Sequence, residues 1–89
     1  MGHEKLQTAT DLVESAAQDT DGEASERLSS LADQLAAFAS GEKAADHGLL
    51  ARIQSGLHEV EDDVDEATVE TINDALDAIN AHRETLDGV

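Results

Sequence analysis

The 89-residue sequence has no cysteine, proline, tryptophan or tyrosine, and its one aromatic residue is Phe38. Without cysteine, the chain forms neither disulfides nor zinc sites built on thiolates. Direct nucleic-acid binding needs clustered cations for phosphates and rings for base stacking. Both are scarce here, because five Lys and Arg residues are scattered along the chain. No apolar run approaches the roughly 18 residues of a membrane span, so we expect no membrane insertion.

Negative charge is what the sequence has in abundance. Asp and Glu number 21 against 5 Lys and Arg, which gives a formal net charge of −16. High charge with few aromatic residues also occurs in disordered chains, so the apolar pattern must decide between order and disorder. Apolar residues recur at steps of three and four in four segments, and no strand-like alternation is sustained. The spacing predicts a folded, all-α protein. Its clearest stripe is Val69, Ile72, Leu76, Ile79, Arg83 and Leu86.

The pattern predicts four helices, at about residues 3–19, 21–40, 46–61 and 65–87. Short connections between such helices make sequential neighbours antiparallel. Steps averaging 3.5 residues favour near-parallel packing of the helix axes. We therefore predict one domain over residues 1–89, folded as a four-helix up-and-down antiparallel bundle.

Local residue types mark where these helices begin and end. Thr20 with Glu23 predicts a capping box at the start of the second helix. Ser40–Gly41 predicts a glycine stop at its end. Asp46 and Asp65 are expected to cap the third and fourth helices.

The break between the third and fourth helices has an alternative. Residues 61–64 contain neither Gly nor Pro, so the rival fold has three helices, with one long continuous helix at the C-terminus. The apolar phase slips between Val64 and Val69, and acidic residues are unfavourable at the C-terminal end of a helix dipole. Both observations favour a break.

The acidic residues suggest adaptation to high salt. Glu66, Glu70, Asp74 and Asp77 stand about one turn apart, and like charges at that spacing cost roughly 0.2–0.5 kcal/mol per pair. At about 1 M salt the Debye length is near 3 Å, which removes most of this repulsion. The first six residues have neither the basic nor the apolar region of a secretory signal. We therefore expect a halophilic, cytoplasmic protein.

Three stretches resemble a family of short acidic helical haloarchaeal proteins of unassigned function: residues 24–35 (ASERLSSLADQL), 46–53 (DHGLLARI) and 72–79 (INDALDAI). The motifs are mainly heptads and turn residues, and they cover helices rather than a chemical site. The resemblance implies a helical fold and a high-salt habitat. It implies no active residues.

Catalytic and metal-binding patterns are missing. The sequence has no Gly-x-Ser-x-Gly motif and no phosphate-binding loop. His58-Glu59 lacks the second histidine of a zinc-protease helix, since position 62 is Asp. Asp19–Gly22 lacks the remaining ligands of a calcium loop. We therefore predict no catalytic, cofactor-binding or metal-binding residues and no enzyme activity, and we expect His58 and His82 on the helix flanks.

Surplus apolar residues suggest a binding role. The leading hypothesis is an interaction or regulatory module that binds another protein or, as a variant, a second copy of the chain. The predicted surface comprises Leu12, Leu49, Leu50, Leu86 and Val89, each of which could instead belong to a broad core stripe. The alternative hypothesis is an acidic mimic of nucleic acid that occupies a basic groove of another protein. Its acidic face would be Glu66, Glu70, Asp74 and Asp77.

Overall fold

The computed structural model describes residues 4–44 and 46–86, apart from the side chain of Leu86. Within these residues all of the regular secondary structure is helical, and there is no strand. The four α-helices are α1 (Glu4–Gln18), α2 (Gly22–Ala39), α3 (His47–Val60) and α4 (Glu66–Leu86). The predicted all-α four-helix fold is confirmed, and each helix lies within one or two residues of its predicted bounds. None of these helices combines the length and apolar character needed to cross a membrane.

The helices form a closed ring of neighbours. α1 packs on α2 and α4, and α3 packs on the same two helices from the opposite side. Arg27 at the start of α2 reaches Glu59 at the end of α3. His47 at the start of α3 contacts Arg83 near the end of α4. These contacts show that α2 and α3, and α3 and α4, run antiparallel.

The two sides of the ring differ in spacing. The backbone of α1 lies closer to α2 and α4 than the backbone of α3 does. The buried positions of α1 include the small residues Ala9, Thr10, Ala16 and Ala17, which allow close approach. The buried positions of α3 are mostly large, with Leu50, Ile53, Leu57 and Val60 at the core. Larger side chains hold α3 further out.

One apolar core fills the interior of the bundle. It draws on all four helices, and Leu12, Ala24, Ala39, Val64 and Ala78 pack against its edge. Buried Thr10 is satisfied locally, because its Oγ1 donates to the Leu6 carbonyl at 2.8 Å. The fully buried large side chains are Leu6, Leu28, Leu35, Leu50, Ile53, Leu57, Ile72, Ile79, Val13 and Val60.

Two of the predicted helix caps are confirmed. Asp46 Oδ1 accepts a hydrogen bond from the Leu49 N–H, and Asp65 Oδ1 accepts one from the Thr68 N–H, both at 2.9 Å. The glycine stop is also present, since Gly41 follows α2 with φ of 85°.

The predicted capping box at Thr20 and Glu23 is wrong. The N-cap of α2 is Asp21, whose side chain makes no capping hydrogen bond. Gly22 adopts φ of 70°, a conformation that favours glycine, and this turn moves the start of α2 past Thr20. Ser25 makes a different contact here: its Oγ donates to the Ala17 carbonyl at 2.8 Å and ties α2 to the end of α1.

The rival fold with a continuous C-terminal helix is also wrong. Glu61–Asp63 form a short 3-10 turn, and Val64 follows in extended conformation with φ of −130° and ψ of 167°. Asp65 then caps the start of α4. Hydrogen bonds from the backbone and the side chain of Thr68 hold the pKa of the Asp65 carboxyl below its usual value. The charged Asp65 side chain thus caps α4 directly after the extended Val64, and this break separates α3 from α4.

Replacing Asp65 tests this cap. We expect Asp65→Ala to lower the Tm at pH 7 by several degrees, because the Thr68 N–H loses its partner. The folded pKa is lowered, so the stabilisation is present above the unfolded pKa and is lost as the pH falls through the folded pKa. The Tm difference between the two proteins should be constant above about pH 5 and shrink below about pH 4.

Thermal melts followed by circular dichroism in about 1 M KCl would measure this, since salt suppresses general charge effects. The matched control is Asp63→Ala, which removes an exposed carboxylate from the adjoining turn. An equal loss in both variants, or a Tm difference that does not change with pH, would contradict the capping role.

Candidate interaction surfaces

The structure separates the residues predicted to form an apolar interaction surface. Leu50 is fully buried, so its assignment to the surface is wrong: it continues the inward stripe of Ile53 and Leu57. Leu12 is half-buried and packs against the core. Leu49 is exposed, with 36% of its surface accessible to solvent. Among the side chains that the structure describes, it is the only large apolar one that is exposed. The side chain of Leu86 and all of Val89 lie outside the described residues.

Leu49 borders a small cavity between the end of α2 and the start of α3. The cavity has a volume of about 60 Å³. Its walls include Phe38, which is almost fully buried in the core, and Lys43 from the turn before α3. The turn is held in place by the Lys43 N–H, which donates to the Ala37 carbonyl at 3.2 Å. The site therefore combines an apolar rim, an aromatic wall and one cation. The full lining is Gln34, Ala37, Phe38, Lys43 and Leu49.

A larger open groove of about 540 Å³ runs along the same two helices. Arg27 projects from α2 and Arg52 from α3. Arg27 Nη2 donates to Glu59 Oε1 at 2.8 Å, which bridges the two helices. This groove could not be predicted from the sequence, because residues on its two walls are 17 to 32 positions apart along the chain. The full lining is Arg27, Ser30, Leu31, Gln34, Ala51, Arg52, Ser55, Gly56 and Glu59.

A polar network joins α3 to α4. Arg83 Nε donates to His47 Nδ1 at 3.0 Å, and Arg83 Nη1 donates to Gln54 Oε1 at 2.6 Å. Gln54 Nε2 in turn donates to Asn80 Oδ1 at 2.9 Å. Arg83 occupies a position of the apolar stripe of α4, and its length lets the guanidinium reach the more distant α3. The network therefore spans a seam that shorter side chains would leave open.

The two flank histidines have different environments. His58 is exposed, as predicted, and its Nδ1 lies 3.8 Å from Glu61 Oε1. His82 is buried, with 4% of its surface exposed, so its placement on a flank is wrong. It follows Ile79 by three positions, which puts it on the inward side of α4. No group of three His, Asp or Glu side chains within the described residues is arranged to hold a metal ion.

The predicted acidic row lies on the outer face of α4. Glu66, Glu70, Asp74 and Asp77 are all exposed. None of them forms an ion pair with another described residue. The row spans about 16 Å at 1.5 Å per residue. It therefore presents four unneutralised carboxylates to the solvent along one line.

Comparison with known proteins gives one family match. The model of a family of unknown function, DUF7553, matches residues 1–85. No curated protein and no solved structure matches the chain. The family match agrees with the expected resemblance to proteins of unassigned function, and it carries no information about salt or source.

Replacing Arg83 tests the polar network between α3 and α4. We expect Arg83→Ala to destabilise the protein by about 1–3 kcal/mol, because two hydrogen bonds from a half-buried charged group are lost and Gln54 loses a donor. Arg83→Lys should recover only part of this, since an ammonium cannot reproduce the fork of donors. Urea denaturation in molar KCl measures both variants.

The matched control is Arg52→Ala, which removes an exposed arginine with no hydrogen bond or ion pair to any described residue. Its effect should stay within about 0.5 kcal/mol. If Arg83→Ala were as mild as Arg52→Ala, the network would not be holding α3 in place.

Proposed function

Since the chain belongs to the family of unknown function DUF7553, we propose a function from its own surface: it is a halophilic, cytoplasmic module that binds another protein. The docking surface is the end of the α2–α3 face around Leu49. The observation that carries the proposal is the exposure of Leu49 beside the cavity walled by Phe38. A partner side chain placed there would cover Leu49 and contact an aromatic wall.

The shape of the surface supports binding over catalysis. The two larger cavities of the described residues are open grooves. Substrate sites usually enclose most of their ligand and exclude water from it. The cavity beside Leu49 is more enclosed but holds only about 60 Å³, which suits part of one side chain. An apolar anchor with a polar surround is the usual arrangement of a protein–protein contact.

The partner of this surface has a definable chemistry. Lys43 lies at the rim of the cavity, and Gln34 lines both the cavity and the adjoining groove. A complementary segment would place an apolar side chain against Leu49 and a carboxylate near Lys43. A second copy of the chain is the variant of this proposal, since its many carboxylates could supply that group.

The acidic mimic remains the second candidate. It is favoured by the row on α4, whose carboxylates are exposed and unpaired within the described residues. Their spacing of about 4.5–6 Å along the helix is similar to the separation of charges along a polyanion. A partner captured through this row, rather than through Leu49, would be displaced by DNA or heparin. A partner captured through Leu49 would not be.

The halophilic part of the proposal is tested by salt. We expect the Tm to rise between 0.05 and 2 M KCl, because salt screens repulsion among the carboxylates. The double variant Glu70→Gln with Asp74→Asn removes the two central charges of the row. It should raise the Tm by several degrees at 0.05 M KCl and have little effect at 2 M.

Circular dichroism melts over the salt range would show both effects. Full helix content with an unchanged Tm from 0.05 to 2 M KCl would refute salt adaptation. A stabilisation by the double variant that persists at 2 M would show that its cause is not charge repulsion.

The docking surface is tested by cross-linking from two positions. A photoreactive residue at position 49 should capture a partner in molar KCl, whereas the same residue at position 74 should not. Leu49→Ser should then weaken the purified complex at least about tenfold, because the apolar anchor is lost. Its Tm should stay close to that of the parent protein, since Leu49 lies outside the core.

Asn73→Ser is the control for a polar substitution at an exposed position of another helix. Capture from position 74 alone, followed by release with DNA, would replace this proposal with the acidic mimic. Unchanged affinity in Leu49→Ser would contradict the docking role. A cross-link to a second copy, with a dimer by light scattering, would identify the variant.

A further inference from the structure

The few cations of this chain are not evenly distributed over the bundle. Two of the three arginines, Arg27 and Arg52, line the single groove between α2 and α3. Lys43 lies at the adjoining cavity. The acidic row of α4 faces solvent elsewhere. A chain with a formal net charge of −16 therefore concentrates most of its positive groups along one face.

We propose that the groove between α2 and α3 is a binding site for a small phosphate-bearing anion. Arg27 and Arg52 would hold the phosphate oxygens from opposite walls. Ser30 and Ser55 would donate hydroxyl hydrogen bonds from the same two helices. The groove is open to solvent and has a volume of about 540 Å³, so it can admit a small anion without enclosing it.

The donors of the groove are available. The guanidinium of Arg52 and the side chains of Ser30, Ser55 and Gln34 make no hydrogen bond or ion pair with any described residue. Arg27 is held in position by Glu59 through one N–H of Nη2, which leaves the donors on one edge of the guanidinium for a ligand. One arginine is thus fixed and the other is free to close on a ligand.

Gly56 lies at the floor of the groove, where the lack of a side chain leaves space. A Cβ at Gly56 would lie 3.1 Å from Leu31 Cδ2 and 3.8 Å from Arg27 Nη2. Any side chain at this position would press on Leu31 and occupy the space beside the guanidinium. Gly56 therefore lets α2 and α3 meet at the floor and leaves the Arg27 head accessible from above.

The donor set is better matched to phosphate than to carboxylate. Each guanidinium presents a planar fork of N–H donors, which pairs with two oxygens at once. Two such forks on opposite walls, with two hydroxyls, can engage three terminal oxygens. A carboxylate offers only two. The groove therefore has more donors than a carboxylate can use.

High salt would allow an acidic protein to bind an anion at this site, because it screens the repulsion from distant carboxylates. At low ionic strength the distant carboxylates would repel any anion. At about 1 M salt the Debye length is near 3 Å, so only groups in contact with the ligand determine its binding. Glu59 is the one acidic residue in the lining of the groove, and its charge opposes binding.

Titration with inorganic phosphate in KCl, at a constant ionic strength of about 1 M, tests the proposal by ¹H–¹⁵N NMR. We expect saturable shifts at the amides of Ser30, Ser55 and Gly56, with a dissociation constant of roughly millimolar order. Arg52→Gln should weaken binding about tenfold. Lys5→Gln, the same charge change on α1 across the bundle, should leave it unchanged.

A second pair of variants tests for an increase in phosphate affinity. Glu59→Gln should tighten phosphate binding about threefold, because the opposing charge is removed while the amide oxygen can still accept from Arg27. Glu14→Gln on α1 is the control and should have no effect. Shifts that do not saturate, or equal losses in Arg52→Gln and Lys5→Gln, would overturn the site. Acetate binding as tightly as phosphate would overturn the assignment to a phosphate group.

Discussion

The close packing of α1 against α2 and α4 determines the arrangement of the rest of the bundle. Small buried side chains such as Ala9 and Ala16 let the backbone of α1 approach the backbones of α2 and α4. α3 then completes the core with Leu50, Ile53 and Leu57, whose size keeps its backbone further away. The wider spacing of α3 leaves room for two of the surface features described above, the α2–α3 groove and the polar network to α4.

The arginines bridge the more open side of the bundle. Arg27 connects α2 to α3 through Glu59, and Arg83 connects α4 to α3 through His47 and Gln54. The Arg27 pair is exposed, so its net contribution is about 0.2–1 kcal/mol. The Arg83 contacts are half-buried and more strongly shielded from water. With so few cations in the chain, two of its three arginines link α3 to its neighbours, and Arg52 does not.

The helices could be predicted from sequence because their determinants are local. Apolar spacing located all four, and Asp46 and Asp65 cap as their positions indicate. The failures have identifiable causes. Gly22 takes a positive φ that moves the start of α2 beyond Thr20. The neighbouring residue types do not indicate this conformation. Leu49 and Leu50 are adjacent apolar residues, so the sequence does not show which of them faces the core. The orientation of α3 in the bundle places Leu50 in the core and leaves Leu49 exposed. The Arg27–Glu59 and Arg83–His47 contacts join residues 32 and 36 positions apart, a separation beyond what helical periodicity can report.

The wider spacing of α3 also bears on how the protein moves. Proteins open locally in cooperative segments, and segments with fewer close contacts open at lower free energy. α3 is bounded by the glycine turn at Gly41 on one side and the extended Val64 on the other, so it can separate as a unit while α1, α2 and α4 keep their alanine contacts. Such an opening would dismantle the α2–α3 groove and the Leu49 rim together. The helix that would open in this way is the one that forms both candidate binding surfaces, and occupancy of either surface would slow amide hydrogen exchange throughout α3.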